Sequence, residues 1–90
     1  MGFFSKKQKI DYTALFKEQY KSINQLTMQA QNESDYIIKE SLYALITEKY
    51  KELIEFIDQG AAFDKEHFLS LKENAEKEYQ KIININHDEH

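Results

Sequence analysis

Apolar positions recur along this chain at helical spacing in three separate stretches. The longest lies between Ser34 and Gln59. At 100° per residue, Leu45, Ile38, Phe56, Leu42, Leu53, Ile46, Ile57, Tyr50, Tyr43, Tyr36 and Ile54 fall within an arc of roughly 180°. Glu40, Ser41, Thr47, Glu48, Lys51, Glu52, Glu55 and Asp58 take the other half. A helix meeting one neighbour needs an apolar stripe nearer 100° wide. This one is therefore expected to be a central helix packed against two elements, with apolar width to spare.

The flanking stretches carry narrower seams. In the first, Leu15, Leu26, Tyr12, Ala30, Ile23, Phe16 and Tyr20 span roughly 140°, with Gln19 inside the arc. Asp11 is placed as its N-cap, and Ile10 and Leu15 have the spacing of a hydrophobic staple. In the third, Leu71, Ile82, Ala75, Phe68 and Tyr79 cover only about 80°. Asp64 is its expected N-cap, with Phe63 and Phe68 as the staple pair. The polar run Gln31-Asn32-Glu33-Ser34 marks the first turn and offers Asn32 or Ser34 as the next N-cap. Gly60 is the expected left-handed residue closing the second helix. The pattern predicts an all-α, single-domain antiparallel three-helix bundle, with helices near residues 11–31, 35–59 and 65–84. Short connections favour antiparallel neighbours. A flexible basic leader is expected at 1–9 and a frayed polar tail at 86–90.

Composition agrees with helix and narrows function. The chain has no proline, and its two glycines, Gly2 and Gly60, both lie outside the predicted helices. It has no cysteine, hence no disulfide or thiolate metal site, which fits a reducing cytoplasm. All twelve basic residues are lysine, and the net charge is −4. Without arginine for bidentate recognition, an acidic chain is a poor nucleic-acid reader. Charge is uneven: residues 1–30 hold five lysines against Asp11 and Glu18, a balance of +3, whereas residues 31–90 hold seven lysines against fourteen acids, a balance of −7. The bias toward Lys, Asn, Ile, Tyr and Phe points to an AT-rich bacterial genome. No stretch is apolar enough to span a bilayer, and the N-terminal residues lack the apolar core of a secretory signal.

Candidate chemistry is sparse. His87 and His90 flank Asp88 and Glu89, but a chain terminus does not hold ligands in tetrahedral geometry. His67 beside Glu66 has no further partner in the pattern. No Glu-x-x-His pair and no Gly-rich phosphate loop occurs. No enzymatic activity, cofactor or metal is expected.

Three features remain. Gln19 and Lys49 each interrupt an apolar arc, either as ordinary amphipathic residues, as a polar spot in a partner-binding groove, or as a register device within the bundle. Tyr36, Tyr43 and Tyr50 repeat every seven residues along one margin of the central arc. Tyrosines there ordinarily bury the ring and keep the hydroxyl wet, and the same property suits a binding surface. Phe3 and Phe4 beside Lys6, Lys7 and Lys9 could touch an anionic bilayer. The leading expectation is a non-enzymatic interaction or regulatory module, binding another protein or itself through Tyr36, Tyr43, Tyr50 and Ile54. The alternative is a membrane-peripheral accessory or immunity-type bundle, with Phe3, Phe4, Lys6, Lys7 and Lys9 in transient contact with the membrane surface.

Overall fold

The computed structural model describes residues 9–88, which form a three-helix bundle of α1 (Tyr12–Asn32), α2 (Tyr36–Asp58) and α3 (Lys65–His87). Each helix begins at an aspartate. The Asp11 carboxylate accepts from the Ala14 N–H at 3.0 Å, and the Asp64 carboxylate from the Glu66 N–H at 3.2 Å. For α2 the cap is Asp35, not Asn32 or Ser34. Its carboxylate accepts from the Ile37 N–H at 2.9 Å, while α1 runs through Asn32 and makes that residue helical. Of the predicted staples, Phe63 and Phe68 meet edge to face at 6.1 Å, whereas Ile10 and Leu15 stay exposed. Asp35→Ala leaves an N-terminal amide without its acceptor and is expected to cost about 1 kcal/mol, read from urea unfolding.

α2 ends as the sequence predicts. Gly60 has φ +126°, the Ala61 N–H donates to the Phe56 carbonyl at 2.9 Å, and the Gly60 N–H donates to the Ile57 carbonyl at 3.0 Å. This is a Schellman closure, with Ala61 buried behind it. The Ala62 N–H donates to the Thr13 hydroxyl at 3.1 Å, tying this turn to the start of α1.

α3 extends beyond the expected end, through His87, so the first residues of the predicted frayed tail are helical. The Asn86 amide donates to the Tyr36 carbonyl at 2.9 Å and to a Glu40 carboxylate oxygen at 2.8 Å. Those two bonds occupy one of the last turns of α3 and hold it against the start of α2. Ion pairs also form on the outside of the bundle. Among the described residues they are Lys51–Glu48, Lys72–Glu76, Lys81–Glu78 and the interhelical Lys65–Asp58. Exposed pairs of this kind contribute little to stability.

α2 is the shared helix. α1 lies along one flank, where Tyr12 meets Phe56 at 6.0 Å and Gln19 reaches Lys49 and Glu52. α3 lies along the other flank, marked by Lys65–Asp58 and Asn86–Glu40. Phe16, Ile23, Ile46 and Leu53 are the largest fully buried side chains. The two outer helices do not pack on each other in the same way: no Cα of α1 comes within 8 Å of a Cα of α3. Aromatic side chains join them at the end nearest the second connection. There Phe16 stacks on Phe63 at 4.0 Å, and Phe68 meets Phe16 and Tyr20 edge-on at 4.8 and 5.2 Å.

Candidate functional site

The spread of α1 and α3 leaves a groove between them, with α2 beneath its middle. Its middle is a hollow of about 180 Å³ between Thr27 and Gln31 of α1 and Leu71, Asn74, Ala75 and Glu78 of α3, with Tyr43 and Tyr50 beneath. Toward the second connection a further hollow of about 350 Å³ has aromatic walls from Phe16, Tyr20, Phe63 and Phe68, rimmed by Lys17, Lys21 and Asn24. The two hollows follow one another along the same gap.

The heptad spacing of the tyrosines explains the floor. Residues seven apart on a helix differ by only about 20° in direction, so Tyr43 and Tyr50 both point between the flanking helices. Their rings are covered, leaving 5% and 7% exposed. Among the described residues no side-chain nitrogen or oxygen is buried without a partner. Neither tyrosine hydroxyl bonds to another described residue, so both reach solvent through the groove. Burial raises the Tyr43 phenol above its ordinary value, and the nearby Glu78 carboxylate raises it further. Burial likewise raises Tyr50, with Tyr20 adding to the shift.

The sign of the pH dependence follows. A phenol raised in the folded state holds its proton where the unfolded chain has lost it. Its contribution is complete below about pH 10 and fades as pH rises through the folded value. Urea unfolding midpoints are therefore expected to fall as pH rises above about 10, and those of a Tyr43→Phe/Tyr50→Phe variant to fall less.

These positions correct the expected interaction surface. Tyr43, Tyr50 and Ile54 are covered by the chain's own helices, and of the proposed set only Tyr36 is an exposed residue, at 44%. Lys39 lies over its ring at 5.6 Å. The surplus apolar width of α2 sits on the opposite margin, where Ile38 and Leu45 are 46% and 45% exposed. Thr47, assigned to the polar half, is buried. Its hydroxyl donates to the Ala44 carbonyl at 2.9 Å, which removes the cost of that burial.

The two polar interruptions turn out to be neighbours. The Gln19 amide donates to the Lys49 carbonyl at 3.1 Å and to a Glu52 carboxylate oxygen at 2.7 Å. Gln19 thus fixes the register of α1 on α2, away from the groove. Lys17, Lys21, Leu71 and Asn74 were not picked out as site residues. The available signal was Lys17 and Lys21 on one helical face beside Tyr20, which a wheel of α1 alone does not single out.

Of the membrane-contact residues, Phe3, Phe4, Lys6 and Lys7 lie outside the described residues, and Lys9 is exposed just before α1. Among the described residues no helix is long and apolar enough to cross a membrane. No group of three or more metal-capable side chains occurs among them either. Comparison with protein-family models, curated proteins and solved structures finds no match for this chain.

Proposed function

We propose that this chain is a non-enzymatic binding module that receives an amphipathic helix of a partner protein in the groove between α1 and α3. One observation carries the reading. α1 and α3 each pack on α2 but have no close backbone packing on each other, and a hollow between them reaches down to Tyr43 and Tyr50. An inserted helix would add a fourth element and fill the two hollows with its apolar side chains, the helix-in-groove mode of recognition. The hollows have the size of side chains, while the body of a helix, about 10 Å across, would ride on the rims. This keeps the tyrosines in the binding role expected of them but reverses their geometry. Tyr43 and Tyr50 form the bottom of a groove rather than part of a stripe on a convex face.

Shape favours a helix over a second copy. Two copies meeting groove to groove would present one concave surface to another and leave both tyrosine floors unfilled, losing the close packing that specific interfaces have at their centre.

The test compares two variants in co-purification from source cells. Gln31→Arg/Asn74→Arg places bulk and charge across the rims, at exposed positions that do not support the core. Leu45→Glu alters the outer face of α2. The groove variant is expected to lose a partner that the Leu45→Glu variant retains, and the opposite result contradicts the proposal. Sedimentation of the purified chain supplies the oligomeric state. Self-association abolished by the groove variant would make the occupant a second copy.

A further inference from the structure

Charge is distributed unequally along the groove. At its aromatic end Lys17 and Lys21 lie one turn apart on the α1 rim, both exposed. Among the described residues neither ammonium has a carboxylate within ion-pair distance. On the α3 side of this end His67 lies edge-on to Phe68 at 4.9 Å, and the Asp64 carboxylate is engaged as the helix N-cap, accepting from the Glu66 N–H. At the other hollow the single acid is Glu78, and Lys81 pairs with it at 3.1 Å. A chain with net charge −4 thus turns two unmatched lysines toward the aromatic part of its groove.

Spacing supplies a second constraint. Along α1 the centres of the two hollows, between Phe16–Asn24 and between Thr27–Gln31, are about nine residues or about 13 Å apart. Along α3, from Phe68 to Asn74 and Ala75, the separation is about 10 Å. Two anchors on a docked helix reach both hollows when they are about seven or eight residues apart, a rise of about 10–12 Å.

We infer that the partner segment is an acidic amphipathic helix. A large apolar or aromatic anchor enters the Phe16–Tyr20–Phe63–Phe68 hollow, with Asp or Glu beside it against Lys17 and Lys21. A second, smaller apolar anchor two turns along covers Tyr43 and Tyr50. The inference rests on the groove reading above and adds the partner's charge and anchor spacing. Exposed lysines at the rim act on encounter and on choice of partner more than on packing.

The test pans a displayed library of amphipathic helices against the full chain, with residues flanking the anchors randomised among Asp, Glu, Lys, Arg, Ser and Gln. Wild type is expected to select acids beside the anchor that enters the aromatic hollow, with anchors seven or eight residues apart. The Lys17→Glu/Lys21→Glu variant, whose fold is checked by circular dichroism, is expected to select Lys or Arg there instead. It is also expected to bind the wild-type winner about ten-fold more weakly, a difference that shrinks at high salt. Helices that map to the groove by amide shift changes, yet show no acidic preference and no response to the charge reversal, would overturn this inference and leave the groove reading standing. Helices that map instead to Ile38 and Leu45, or a library that yields no binder, would overturn both.

Discussion

Phe16→Ala is expected to remove about 3–5 kcal/mol of folding stability. The side chain is 1% exposed and is the point where all three parts of the aromatic cluster meet, stacked on Phe63 and edge-on to Phe68, with Tyr20 at 6.2 Å. Truncation deletes the apolar contact and leaves a cavity that Phe63 and Phe68 only partly close, since each is held by its own helix or turn. A chain of this length has about 5–13 kcal/mol in total. The variant is therefore expected to be near its unfolding midpoint in mild urea, measured by far-ultraviolet circular dichroism. A loss under about 1 kcal/mol would mean that the cluster is not packed as described.

Ending the chain at Ala62 is expected to abolish cooperative folding altogether. Without α3 the bundle loses Phe68 and Ile82, and the α3-facing flank of α2, with Ile54 and Thr47, is opened to water together with the covered sides of Tyr43 and Tyr50. Each large apolar side chain returned to solvent costs about 1.5–3 kcal/mol, and together they exceed the stability of the intact domain. The dependence follows from topology. α1 and α3 meet through side chains of the aromatic cluster but have no close backbone packing, so α1 does not take the place of α3 on the flank of α2. A sharp unfolding transition in the truncated chain would contradict this shared-helix architecture.

The three helices were legible because the apolar period, Asp11, Asp64 and Gly60 all mark boundaries by local chemistry. Local chemistry was ambiguous at the first turn, where Asn32, Ser34 and Asp35 all suit an N-cap. The choice there depended on how far α1 continues. The end of α3 was not legible, because Asn86 is held by Tyr36 and Glu40, fifty and forty-six residues away in sequence. A helical wheel gives the width of an apolar arc but not the angles at which neighbours meet it. That is why Ile38 and Leu45 are exposed while Tyr43 and Tyr50 are covered. The groove has the same origin. It is set by the separation of α1 from α3, a quantity carried by neither helix's own sequence pattern.

The most direct check is nuclear Overhauser contact between the chain and a helix selected to bind it. Seating in the groove predicts cross-peaks from the Tyr43 and Tyr50 ring protons and the Leu71 methyls to the apolar residues of the bound helix. Cross-peaks confined to Ile38 and Leu45, with the tyrosine rings silent, would place the partner on the outer face of α2 and contradict the groove as the binding site.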